Sequence, residues 1–247
     1  MRGWIGIIAI ATLAAARAES VDPPCRAQAF EGSRFTVCRF DSRHQEMRLA
    51  WRGRDGKALR TFGKLADHLG RDAVRLRFAM NAGMYEADGS PLGLYVENGR
   101  ERRPLNTGDA DGNFYLKPNG VFSLDGDGTL GIETAEAFAA RRSLPRFATQ
   151  SGPMLVIGGT RHPKIAPDGP STNIRNGVGV VDAHTTLFVI SDDPVSFGRL
   201  ARFFRDRLKC RDALYLDGAI SSLWVPAEGR RTGGTNMGPI IAVLDKP

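Results

Sequence analysis

Histidine and cysteine are scarce in this sequence. Its 247 residues include four histidines, His44, His68, His162 and His184, and three cysteines, Cys25, Cys38 and Cys210. None stands in a His-Glu-x-x-His or Cys-x-x-Cys pattern, so neither a metal nor another cofactor is expected. No Gly-x-Ser-x-Gly surrounds Ser151 or Ser221, which removes the nucleophile-elbow form of serine hydrolase. A serine triad drawn from Ser151 or Ser221 with His184 stays as a weaker alternative. A phosphate-cradling loop ending in Lys and a dinucleotide fingerprint are also missing. The net charge of +7 is spread along the chain, with no basic run interleaved with aromatics, so nucleic acid is not an expected partner. Beyond residue 18 no apolar run is long enough to cross a bilayer.

The first 18 residues have a character of their own. Met1-Arg2 is a short basic start, Trp4 to Ala15 is apolar, and Ala16-Arg17-Ala18 fits the small-x-small cleavage rule. A signal peptide over residues 1–18 is therefore expected, and with it a protein exported to the periplasm or secreted. An uncleaved anchor is the other reading. Residues 19–247 carry no Gly/Ser linker and no repeat, which suits one domain. An oxidising compartment permits a Cys25–Cys38 disulfide, leaving Cys210 as a buried thiol. The odd count leaves that pairing open.

The pattern along the chain is rich in strands and hairpins. Phe35 to Phe40, Met47 to Trp51 and Leu76 to Met80 read as strands. Asn98-Gly99 and Asp125-Gly-Asp127-Gly128 are hairpin turns, and Ile240 to Leu244 is a closing strand. Phe62, Leu65 and Leu69 fall at helical spacing, from Thr61 to Gly70. Thr134 to Arg142 is a second helix. Asp193-Pro194 starts a third, with Phe197, Leu200, Phe204 and Leu208 as its apolar stripe and Arg199, Arg202 and Arg205 on a solvated face. Arg161 to Asn173 reads as a loop, a candidate flap. Regular strand-helix alternation is absent. The fold class is α+β: a mixed or antiparallel, sheet-rich single domain with a few packed helices.

Several strand ends carry polar residues, in four cases beside glycine. They are Asn81/Gly83, Gln150/Ser151/Gly152, Arg175/Asn176/Gly177, Asp192/Asp193 and Asp217/Gly218/Ser221. In Asp212-Ala-Leu-Tyr-Leu-Asp217-Gly218, an apolar run stops at a carboxylate. This is either an Asp-Gly turn or a buried strand delivering Asp217 to a site. If the ends converge, they form a pocket of carboxylates, one guanidinium, amides and hydroxyls. Arginine suits phosphate, and carboxylates and amides suit sugar hydroxyls.

Four blocks carry a resemblance. Met80-Asn-Ala-Gly-Met-Tyr85, Gln150-Ser-Gly-Pro-Met-Leu-Val156, Ile174-Arg-Asn-Gly-Val-Gly-Val180 and Tyr215-Leu-Asp-Gly-Ala-Ile-Ser-Ser222 resemble, in order, the signature blocks of the phosphodiester glycosidase family. That family includes N-acetylglucosamine-1-phosphodiester alpha-N-acetylglucosaminidases of the uncovering-enzyme type. The runs Gly93 to Thr107 and Asn113 to Gly120 are similar to its bacterial exported branch. The resemblance implies a hydrolase of sugar-1-phosphodiesters acting at the anomeric carbon, on a phosphorylated glycan. It implies Asp217 as base or nucleophile and Arg175 as the phosphate ligand. Asn81, Gly83, Gln150, Ser151, Asn176, Asp192, Gly218 and Ser221 would bind substrate. Ala82 and Ala219 stand where the family has glycine, which is expected to narrow the approach of substrate. A non-catalytic binder of anionic glycans is the other alternative.

Overall fold

The computed structural model describes residues 23–217, 220–233 and 236–247. The signal-peptide segment and Gly218 lie outside the described residues. Among the described residues no helix is long and apolar enough to cross a membrane.

In chain order the strands are β1 (Cys25–Phe30), β2 (Ser33–Asp41), β3 (Gln45–Ala50), β4 (Leu76–Asn81), β5 (Tyr95–Glu97), β6 (Arg100–Arg103), β7 (Gly120–Leu124) and β8 (Leu130–Thr134). They continue as β9 (Phe147–Ser151), β10 (Met154–Ile157), β11 (Thr160–Arg161), β12 (Asn176–Asp182), β13 (Thr185–Ser191), β14 (Asp212–Tyr215), β15 (Leu223–Val225), β16 (Arg230–Thr232) and β17 (Ile240–Asp245). The helices are α1 (Phe62–Leu69), α2 (Ala135–Ala139) and α3 (Phe197–Arg202). Three antiparallel sheets result, in the orders β1-β2-β13-β12-β14-β10-β11, β16-β15-β4-β17-β3 and β6-β5-β9-β7-β8. The α+β, sheet-rich expectation matches this architecture.

Strand alternation builds the core. Along β17, Ile241 and Val243 point into the central cluster, while Ile240, Ala242 and Leu244 face the other way, under α1. Phe40, Phe78, Phe122 and Phe188 come from all three sheets and meet in that central cluster. Phe188 is the hub, with ring centroids 5.7 Å from both Phe78 and Phe122. Each outer face then takes a helix: α3 on the first sheet, α1 on the second, and α2, through Phe138, on the third. The disulfide joins Cys25 to Cys38, residues directly opposite in the β1–β2 pair, and Cys210 is a buried free thiol.

Helix α1 follows its sequence signals closely. The Thr61 hydroxyl accepts the Lys64 N–H at 3.1 Å, Gly70 closes the helix, and Phe62, Leu65 and Leu69 are its buried stripe. Helix α3 departs from expectation. Ser196, not Asp193, caps it, because Asp193 is spent on the Arg34 N–H at 2.8 Å. The helix is short and continues as a π turn from Phe203 to Arg207. Its arginines are not simply solvated: Arg202 pairs with Glu31 at 2.6 Å and Asp168 at 2.9 Å, and Arg199 donates to Ser33 at 2.8 Å. The loop read as a flap is docked there, with Ile165 buried and the Pro167 carbonyl accepting from Arg202. Helix α2 is shorter than expected.

Candidate active site

The polar strand ends of all three sheets come together. Asn81 ends β4, Ser151 ends β9, Asn176 opens β12 and Asp217 follows β14. The Asn176 Nδ2 donates to the Asn81 Oδ1 at 3.0 Å and to the Asn81 carbonyl at 3.2 Å. The Asn176 Oδ1 accepts the Asp217 backbone N–H at 2.9 Å. The Asn81 Oδ1 also accepts the Ser222 backbone N–H at 2.8 Å. The Ser221 hydroxyl donates to the Asp217 carbonyl at 2.7 Å, and the Ser151 hydroxyl to the Leu216 carbonyl at 2.7 Å. Buried amides and hydroxyls are costly unless paired. Here they pair with one another and with the backbone around Asp217, so the network fixes the position of that carboxylate.

Asp217 is 6% exposed and lines an open cavity of about 360 Å³ with Met84, Tyr85, Glu86, Ala87, Leu92, Asn113 and Tyr215. Burial raises the Tyr85 hydroxyl above its ordinary pKa, and the Asp217 charge adds to this, while Arg60 opposes it. Tyr215 is pushed up to about 12, chiefly by burial, with Arg175 lowering it and Asp217 raising it. Both phenols are therefore neutral hydrogen-bond donors at neutral pH. Each ends or begins one of the quoted sequence blocks, yet neither was expected at the site. A hydroxylated aromatic beside a polar strand end was the available signal.

The remaining expected ligands have structural work. Arg175 immediately precedes Asn176, the first residue of β12, and in this extended backbone the two side chains point to opposite sides. Asn176 faces Asn81. Arg175 lies under α3, 1% exposed, with its guanidinium 3.7 Å from the Phe197 ring centroid. Its Nε donates to the Val195 carbonyl at 2.8 Å, Nη1 to the Tyr215 hydroxyl at 3.2 Å, and Nη2 to the Ser171 carbonyl and hydroxyl at 3.1 and 3.2 Å. It therefore reaches the cavity through Tyr215. The Gln150 Oε1 accepts the backbone N–H groups of Leu94 and Asn106, both at 2.9 Å, and so clamps two loop segments. Gly83 is demanded by packing, because a Cβ there would run into the Gln150 carbonyl. Asp192 belongs to a separate set, bound by Arg230 at 2.6 Å and by Thr36. Ala82 is fully buried in the central core, so its methyl fills the core rather than the approach to substrate. Ala219 lies outside the described residues.

The serine-triad arrangement does not form. His184 sits in the β12–β13 turn, bonded to Ser42 and Gly128, at the end of β12 remote from Asn176. The Asp125-x-Asp127 turn is closed by Arg141 on Asp125 and by the Thr129 N–H on Asp127.

The phosphodiester glycosidase family model matches residues 75–239, which takes in all four blocks. The chain belongs to the phosphodiester glycosidase family. A curated relative, the uncharacterized protein YigE of Escherichia coli (strain K12), is 35% identical over 181 residues, covering 73% of this chain and 70% of that protein. Among solved structures, the catalytic domain of zebrafish N-acetylglucosamine-1-phosphodiester alpha-N-acetylglucosaminidase, auto-inhibited by its pro-peptide, superposes with a TM-score of 0.59 at 14% identity. The match covers 90% of this chain and 82% of that domain. A hypothetical protein from Synechocystis gives a TM-score of 0.57 at 14% identity over 90% of this chain, which spans 61% of that protein. At such identities the structural likeness carries the family fold, and the sequence match carries the family.

Proposed function

We propose that this family member hydrolyses sugar-1-phosphodiesters at the anomeric carbon, with Asp217 as the carboxylate that works on that carbon. The observation that carries the reading is a buried carboxylate, pinned by Asn176 through its backbone, opening into a cavity of about 360 Å³ lined by two neutral tyrosines. Membership of the phosphodiester glycosidase family supports it.

In the reaction the bond between C1 of the sugar and its phosphate oxygen breaks. The phosphate departs with the bonding electron pair as a phosphomonoester. In direct attack a water oxygen bonds to C1 and one of its protons passes to Asp217. If Asp217 attacks first, its carboxylate bonds to C1 as the phosphate leaves, and water then displaces that carboxylate from C1 and gives its proton to bulk solvent. Phosphate is a good leaving group, so one dominant carboxylate suffices where ordinary glycosides need an acid pair. Tyr215 accepts a hydrogen bond from the buried Arg175 and keeps its own O–H to donate. Arg175 is thus a positioning residue whose charge reaches the cavity through that phenol.

The natural substrate is a phosphorylated glycan, and the protein is exported, periplasmic or secreted, as residues 1–18 indicate. Hydrolysis in H₂¹⁸O tests the bond that breaks. Label in the released sugar supports attack at C1. Label in the phosphomonoester means P–O cleavage and overturns the glycosidase reading. Binding of the phosphodiester without turnover turns the protein into a glycan binder.

A further inference from the structure

Arg60 stands outside the region matched by the family model, on the segment between β3 and α1. Its backbone is left-handed, with φ of 61°, a conformation uncommon for a residue with a side chain. The surroundings hold it there. Its carbonyl accepts the Met237 N–H at 3.0 Å, and the next residue, Thr61, caps α1. The guanidinium lies 5.6 Å from the Tyr85 ring centroid, and Nη1 donates to the Ala87 carbonyl at 3.3 Å. Tyr85 and Ala87 both line the Asp217 cavity. Gly89 leaves the room, since a Cβ there would collide with the Arg60 side chain.

Arg60 is half-buried, and among the described residues its side chain makes one hydrogen bond to protein and no ion pair. A guanidinium carries five N–H donors, so most of this one is uncommitted. Arg175 is the reverse case, buried and bonded through every nitrogen. Glu86 lines the same cavity without pairing to Arg60. Tyr85 feels Asp217 and Arg60 with opposite sign, which puts both charges within electrostatic reach of one ring.

We propose that Arg60 forms an anion subsite at the mouth of the Asp217 cavity and takes a phosphate oxygen of the leaving group. The subsite stands on the surroundings of Arg60, and the identity of the anion rests on the hydrolysis proposed above. A cavity lined by the Asp217 and Glu86 carboxylates alone would repel a phosphodiester. A guanidinium at its rim offsets part of that charge and offers two parallel N–H donors to one phosphate.

Arg60→Gly is the informative variant, because a left-handed backbone suits glycine. Binding of methyl phosphate by calorimetry is expected to weaken by about tenfold or more, the size of one charge-assisted contact. The thermal midpoint is expected to stay within about 3 °C of wild type. Arg60→Lys should lose less, keeping the charge without the fork. With a sugar-1-phosphodiester, Arg60→Gly should raise KM more than it lowers kcat. Methyl phosphate bound equally by wild type and Arg60→Gly, or not bound by wild type, overturns the subsite. Wild type that binds methyl phosphate through Arg60 but turns over no sugar-1-phosphodiester keeps the subsite and sinks the hydrolysis. Turnover with KM unmoved by Arg60→Gly does the opposite.

Discussion

The Asn176 Oδ1 accepts the backbone N–H of Asp217 at 2.9 Å, so an amide on one strand sets the position of the carboxylate that follows its neighbour. The same amide donates to Asn81 on another sheet. Two sheets are therefore tied at the point where the chemistry is proposed, and any change at Asn176 is felt by fold and site together.

Asn176→Ala is expected to cost about 2–3 kcal/mol, the sum of buried hydrogen bonds lost with their partners left unsatisfied. Urea denaturation measures this. Turnover should fall through kcat more than KM, because the variant disturbs the placement of Asp217 rather than a substrate contact.

Ser151→Ala removes the 2.7 Å bond to the Leu216 carbonyl. A loss of about 1 kcal/mol is expected, with much of the activity retained. Serine-directed covalent reagents should not label the protein. Labelling at Ser151 with complete loss of turnover in the alanine variant would return the serine-hydrolase alternative.

Alkaline pH should unfold the protein through groups whose neutral form the fold favours. Burial pushes Cys210 up to about 12 from its ordinary value of 9.0. Tyr215 is likewise pushed up to about 12, from 10.0. Each contributes stability that is fully present below its unfolded pKa and is lost as pH rises through the folded one. Stability should therefore fall from pH 9 towards 12. In Cys210→Ala, denaturation midpoints across that range should fall less steeply. An unchanged slope would remove Cys210 from the cause.

Much of this was legible in the sequence, for reasons that can be located. Helix α1 has a cap, a stripe and a closing glycine in order, so its local signals agree with its packing. The hairpins at Asn98 and Asp125 were fixed by turn chemistry. The convergence of Asn81, Ser151, Asn176 and Asp217 followed from polar residues at the ends of buried strands, where burial is costly without partners. What the sequence hid was side-chain direction and partnership. Arg175 looked like a phosphate ligand because arginine suits phosphate. Strand alternation instead turns it under α3, where backbone carbonyls take its donors. Gln150 and Gly83 looked like ligands because they flank a site, yet one clamps loop backbone and the other makes room for it. Arg60 gave no signal, as its left-handed backbone and its place over Tyr85 depend on tertiary contacts.

The central claim rests on the Asp217 carboxylate, and the most direct measurement is turnover of a sugar-1-phosphodiester by wild type and Asp217→Asn, with products identified. Wild type should release free sugar and a phosphomonoester. Asp217→Asn, nearly isosteric, should fold with a similar thermal midpoint and lose turnover by about a thousandfold, within the range of a catalytic acid or base. A folded Asp217→Asn protein that hydrolyses the substrate at the wild-type rate would contradict the account.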